Sequence, residues 1–146
     1  MKVQVWTAVL VPLVTVMALQ STVRGQTTKS VWDGVYTEEQ ATRGRQGYAD
    51  QCASCHGPEL TGGEMAPALA GGEFMAGWDG LTVGDLFERI RISMPQDSPG
   101  SLSGAQNADI LAFMLASNKF PAGTTELAHD AMILKTIKFE AKKSGE

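Results

Sequence analysis

Three stretches of the chain repeat apolar residues at intervals of three and four, the spacing that gathers them on one face of an α-helix. The first opens at Thr37, an N-cap residue type, with Gln40 three positions on to complete a capping box and Glu38 and Glu39 in the first turn. Ala41, Gly44 and Tyr48 then share one face of a helix that ends close to Cys52. A glycine costs about 1 kcal/mol of helix propensity against alanine, so Gly44 on that face predicts the close approach of another backbone. In the second stretch Thr82 caps a helix carrying Val83, Leu86, Phe87 and Ile90 at helical spacing, with Arg89 and Arg91 off that face. It ends near Ser93, because Pro95 disfavours helix at Met94. In the third, Ser103 and Gln106 form a capping box that opens a helix through about Ser117, with Ala108, Leu111, Ala112 and Leu115 on one side. Pro121 and Gly123 stop the chain after it.

The segments between are less regular. Gly57 to Gly80 is dominated by Gly, Pro and Met, with Leu60, Leu69, Phe74 and Trp78 as its bulky apolar groups, and it is expected to be a loop. Such a length of loop fits a compact domain poorly unless it wraps something. From Thr124 the pattern predicts a short turn of helix around Asp130 to Leu134, then a strand-like alternation Thr136-Ile137-Lys138-Phe139. The charged end from Lys142 is expected to be mobile. Residues 26–36 read as a flexible leader, and no internal repeat is present.

The first 25 residues differ from all of this. Lys2 gives a thin positive start, Val3 to Leu19 is largely apolar, and Val23-Arg24-Gly25 offers small residues at the usual cleavage positions. Residues 1–25 are expected to be a secretory signal, which implies a periplasmic location; a retained membrane anchor is the alternative, opposed by Pro12 and the single flanking charge. No cysteine lies near the cleavage region to carry a lipid. The remaining residues fit one domain. The whole chain has 12 basic and 16 acidic residues, and losing Lys2 and Arg24 brings the net charge near minus six. That balance argues against nucleic acid or an anionic membrane as partner and for a protein that presents basic groups. Membrane association is expected only if the N-terminal segment is retained.

The chemistry is concentrated in Cys52-Ala53-Ser54-Cys55-His56, which holds both cysteines of the chain. C-x-x-C-H is the attachment signature of a c-type haem: each thiol can add to a porphyrin vinyl group to form a thioether, and the adjacent imidazole can reach the iron. A thioredoxin-like redox motif would need a βαβ pattern around it, and no strand-rich run precedes Gln51. A zinc site needs four ligands, and the other histidine, His129, stands far away outside any paired motif. One porphyrin would also give the Gly57 to Gly80 loop a body to wrap.

The order of parts resembles the class I cytochrome c family: a helix, the C-A-S-C-H motif, a Pro-containing loop, a middle helix, Met94-Pro95 and a C-terminal helix. The segment R-I-S-M-P-Q-D-S-P-G-S-L-S followed by A-D-I-L-A-F-M-L is further similar to small secreted bacterial cytochromes associated with quinoprotein dehydrogenases and to the haem subunits of terminal oxidases. The resemblance implies an all-α fold, three main helices and loops around one covalently bound haem c. It covers roughly residues 37–120, so that after the signal at 1–25 and the leader at 26–36 the expected division is a cytochrome c domain at 37–122 and a C-terminal extension at 123–146. Position by position, Cys52 and Cys55 match the thioether residues, His56 the proximal iron ligand and Met94 the distal ligand. Pro67 matches the proline whose carbonyl accepts the ring N–H of the proximal histidine. Gly44 and Tyr48 match the small and aromatic positions that cross the C-terminal helix, where Phe113 stands near the usual aromatic. Trp78 either donates its indole N–H to a haem propionate or simply packs.

Met65, Met75 and Met114 compete with Met94, since a methionine is most often an adaptable core filler; an open iron or ligation by His129 are the remaining alternatives. His129 itself is expected on the surface of the tail. With His and Met on both axial positions the implied function is a single-electron carrier, without enzyme activity, working between a donor such as a quinoprotein dehydrogenase and an acceptor such as a terminal oxidase. The alternative is a small-ligand sensor or peroxidase-like haem enzyme with a displaceable distal ligand, for which no distal His and Arg pair is evident.

Overall fold

The computed structural model describes Met1 and residues 28–145. The signal expected at 1–25 lies, apart from Met1, outside the described residues. The chain runs β1 (Lys29–Ser30), a 3-10 turn (Val31–Asp33), α1 (Glu38–Gln51), α2 (Ala53–His56), α3 (Gly72–Trp78), α4 (Val83–Ser93), α5 (Gly104–Ser117), α6 (Ala131–Leu134) and β2 (Ile137–Lys138). The fold is all-α, with the two short strands as its sole sheet among the described residues. None of the described helices is long and apolar enough to cross a membrane.

The three expected helices form where their caps and periodicities place them. Thr37 Oγ1 accepts from Gln40 N, Thr82 Oγ1 from Asp85 N and Ser103 Oγ from Gln106 N, so each helix start has a side chain on one of its otherwise unpaired N–H groups. The apolar faces named above are buried, and α5 crosses α1 through them. At the crossing Gly44 has no room for a side chain: a Cβ there would lie 1.8 Å from the carbonyl oxygen of Asp109. Tyr48 and Phe113 stack beside it with ring centroids 5.3 Å apart.

Four expectations are corrected. The described part of the leader, residues 28–36, is not flexible: Ser30 and Asp33 form a capping box around the 3-10 turn, and Val31, Val35 and Tyr36 are buried. Gln40 does not complete a capping box with Thr37; its buried amide instead donates to Leu127 O and accepts from Leu127 N, two bonds that fasten the tail to α1. Thr82 has the reciprocal partner that Thr37 lacks, as Asp85 accepts from Thr82 N. The Gly57 to Gly80 region contains a helix, α3, which no side chain caps and which Phe74 anchors in the core.

The tail after residue 123 is part of the core and not an appendage. Leu127, Leu134, Ile137 and Phe139 are buried, and Phe139 packs edge-on against Phe74 and Phe120. β2 pairs in parallel with β1, while Gly80 N donates to Phe139 O and Phe139 N to Leu81 O. The expected helical turn forms as α6, capped by Asp130, and α6 rests on α4. Leader and tail thus close over the junction between α3 and α4 from the same side.

Candidate functional site

Cys52 is where α1 stops. Its N–H still donates to Tyr48 O at 2.9 Å, but its own backbone leaves the helical region, and the chain re-enters one further turn, α2. That turn is closed by Cys55 N and His56 N donating to Cys52 O and by Gly57 N donating to Ala53 O. The break and the turn set Cys52, Cys55 and His56 at one corner of the molecule. The two thiols are unpaired, Cys52 half-buried and Cys55 exposed. Burial pushes the Cys52 thiol up to about 11, with the neighbouring Cys55 adding to the rise.

His56 is 7% exposed, and its Nδ1 lies 2.8 Å from Pro67 O. A carbonyl can only accept, so Nδ1 carries a proton, and in the neutral ring Nε2 keeps the lone pair. The loop that brings Pro67 there is pinned at several points. Gly62 N donates to His56 O at 2.8 Å, Leu69 N and Ala70 N donate to Leu60 O, and the Tyr48 hydroxyl donates to Gly57 O. Tyr48 therefore serves the site as well as the crossing of α1 and α5, and burial raises its hydroxyl to about 12, the charge of a Cys52 thiolate acting in the same direction.

Met94 follows α4 as its C-cap, its N–H on Ile90 O at 2.9 Å, with a half-buried side chain and the buried Pro95 behind it. Trp78 ends α3, half-buried and tilted against Phe74 at 6.4 Å between centroids. A hydrogen bond joins His56 and Pro67 directly, whereas Met94 and Trp78 pack against the hydrophobic core and have no hydrogen bond to either. Of the competing methionines, Met114 is sealed inside α5, Met65 is 80% exposed and Met75 is half-buried. His129 is exposed, as its place in the tail suggests.

These residues fit a c-type haem. Two unpaired thiols could form thioethers to the porphyrin vinyl groups, while an imidazole with a free nitrogen opposite a fixed N–H and a half-buried thioether are donors suited to haem iron. Ala53, Leu69, Met75, Trp78, Met94 and Leu102 are half-buried apolar side chains from separate segments, packed against the core on one side and wet on the other. Among the described residues no group of three or more His, Cys, Asp or Glu side chains could hold a metal ion, so the zinc reading has no ligand set. A cleft of about 540 Å³ between α1, Pro58 to Leu60 and the end of α5 contains none of the candidate ligands. Asn118, which bonds to the loop after Pro67, was not evident from the sequence, where it is simply an Asn after a helix.

A family profile described as cytochrome C oxidase, cbb3-type, subunit III matches residues 39–114. No curated protein sequence matches the chain. Among solved structures the chain is similar to the crystal structure of the sulfane dehydrogenase SoxCD from Paracoccus pantotrophus, at 26% identity and a TM-score of 0.51, over 74% of this chain and 61% of that one. The match thus spans less than two thirds of that structure's chain.

Proposed function

The chain belongs to the family of cytochrome c oxidase, cbb3-type, subunit III, as a class I c-type cytochrome whose haem transfers electrons, and from that premise we propose a periplasmic monohaem carrier that passes single electrons from a dehydrogenase or similar complex to a terminal oxidase. The observation that carries the proposal is the His56 ring, held by Pro67 O through one nitrogen and free at the other, one helical turn from two unpaired cysteines. Haem c bound there supplies an iron that cycles between ferrous and ferric, one electron at a time. Cys52 and Cys55 would hold it covalently, and His56 and Met94 would bind its iron. Pro67 fixes the His56 tautomer and strengthens its donation. Trp78 offers its indole N–H to a propionate.

With both axial positions filled by side chains, no position is left for a substrate, which favours a carrier over an enzyme. Cys55 is exposed, so the attachment corner faces solvent where a partner can approach. The likeness to a sulfane dehydrogenase supports a dehydrogenase as donor, and the oxidase subunit family supports an oxidase as acceptor. An excess of 16 acidic over 12 basic residues favours partners with a basic docking face.

The test is production with export and haem-attachment machinery. Mass spectrometry should show one covalent haem and a chain that begins near residue 26. The ferric protein should show the weak red absorption of sulfur bound to iron, and Met94→Ala should abolish it, open the iron to carbon monoxide and keep the haem attached. Met65→Ala and Met75→Ala should retain the band. Free thiols in the exported protein, or a wild type that already binds carbon monoxide, would overturn this reading.

A further inference from the structure

Asn118 is one of few buried polar side chains among the described residues, and every polar atom of its amide is in use. Its Oδ1 accepts from Gly71 N at 3.0 Å, and its Nδ2 donates to Leu69 O at 3.0 Å and to Met114 O at 2.8 Å. The last bond returns to its own helix. The other two cross from the end of α5 to the segment that follows Pro67, and that segment is bonded on its far side to Leu60 O.

The amide is itself held in place. Phe120 N donates to Leu115 O and Lys119 N to Ala116 O, the paired bonds of a Schellman stop, with Lys119 in the left-handed region at a φ of 67°. The end of α5 therefore has one conformation, and Asn118 sits at its tip as the C-cap. From the anchored Leu69 the backbone leads back two residues, through Ala68, to Pro67, whose O accepts from Nδ1 of His56.

We propose that Asn118 is a positioning residue for His56, fixing the Pro67 carbonyl against the ring and so setting how strongly the imidazole donates to iron. This rests on the haem reading above. Without the amide, Leu69 O and Gly71 N lose their partners, residues 67–71 are freed on the α5 side, and Pro67 O no longer stays aligned with Nδ1. A weaker bond at Nδ1 makes Nε2 a poorer donor, which destabilises the ferric form relative to the ferrous.

The test uses the haem-loaded protein with Asn118→Leu, which removes all three bonds at similar volume, and Asn118→Asp, which keeps an acceptor for Gly71 N and loses the donors. Gln40→Leu is the control: it also removes two buried bonds, but to Leu127 in the tail. Two quantities are read, the reduction potential and the exchange rate of the His56 Nδ1–H in the reduced protein by NMR. Asn118→Leu should shift the equilibrium about threefold toward the ferrous form, about 28 mV at 59 mV per tenfold for one electron, and accelerate exchange at least tenfold. Asn118→Asp should fall between it and the wild type, and it decides the matter if the leucine variant takes up no haem. Gln40→Leu should lower thermal stability and leave both readings unchanged. Wild-type readings in both Asn118 variants, or equal shifts in Gln40→Leu, would overturn the positioning role while leaving the haem reading intact. A wild type without covalent haem would overturn both.

Discussion

Gly44→Ala places a methyl group where the backbone of α5 already is. The added Cβ would stand 1.8 Å from Asp109 O, 2.4 Å from Asp109 C and 3.0 Å from Ile110 N, all backbone atoms that cannot swing aside. Ordinary contact begins at 3.4 Å, so α1 and α5 must part by about 1.6 Å along that line. Gaps of 0.5–1 Å forfeit about a quarter to a half of the dispersion between facing atoms, and the pairs at stake include Tyr48 on Phe113. Overpacking of a rigid site of this kind costs about 3 kcal/mol, the upper end of the usual range. The alanine returns about 1 kcal/mol of helix propensity, leaving a net loss near 2 kcal/mol. At about 4 °C per kcal/mol for a domain of this size, thermal unfolding of the haem-loaded protein should fall by about 8 °C. Cys52 caps the same helix, so the yield of haem-loaded protein should fall as well. Gly77→Ala in α3 is the counterpart: nothing lies within 4 Å of its Cβ, and stability should rise by up to about 1 kcal/mol. A Gly44→Ala protein that unfolds at the wild-type temperature would refute the close crossing of α1 and α5.

Three further outcomes are expected. Lys119→Gly should stabilise the protein by up to about 1 kcal/mol in denaturant titration, because a left-handed backbone strains a side chain by roughly 1–2 kcal/mol and glycine gives part of that back in the unfolded chain. Hydrogen bonds from the Thr82 side chain and backbone hold the Asp85 carboxyl below the ordinary carboxylate range, so its contribution is present above an unfolded pKa of about 3.9 and is lost as the pH falls through the lower folded value. Thermal melts should accordingly show the advantage of wild type over Asp85→Asn shrinking as the pH drops below about 4. Electron exchange with a basic partner protein should slow as salt rises, whereas a rate flat in salt would point to apolar docking.

The three long helices were legible because their signals are local. Thr37, Thr82 and Ser103 each cap the turn that follows them, and the faces led by Ala41, Leu86 and Leu111 are buried as their spacing requires. What escaped the sequence is held by distant partners. β1 and β2 have two residues each and pair across more than 100 positions; the alternation from Thr136 to Phe139 announced β2, but nothing local announced β1 or its pairing. α3 begins with no side-chain cap and contains Gly72 and Gly77; Phe74 on Phe139 of the tail replaces the missing local signal. Gln40 satisfies the capping-box pattern, yet its buried amide goes to the backbone N–H and C=O of Leu127, two buried groups of the tail that it satisfies at once. In the site, Cys52, Cys55 and His56 could be read directly, since attachment chemistry fixes their spacing. Pro67 was accessible only through a family resemblance, and Asn118 not at all, as both act through contacts between segments.

The two sides of the site are built unequally. On the side of His56, four hydrogen bonds tie the Pro67 carbonyl and the loop from Gly62 to Gly71 to α2 and the end of α5, two more tie that loop to Leu60 O, and Tyr48 holds Gly57 O. Met94, the second candidate ligand, hangs from α4 by one backbone bond, with the buried Pro95 after it. A carrier benefits from a rigid ligand geometry, since what moves on gaining an electron must move back on losing it. Here that rigidity is concentrated around the imidazole and the cysteines, which share α2. Replacing Met94 removes a side chain from a helix end and leaves every bond on the His56 side in place. Spectral changes in Met94→Ala therefore report the loss of a ligand and not the collapse of the pocket, whereas a change at Asn118 enters through the bonds that orient the imidazole.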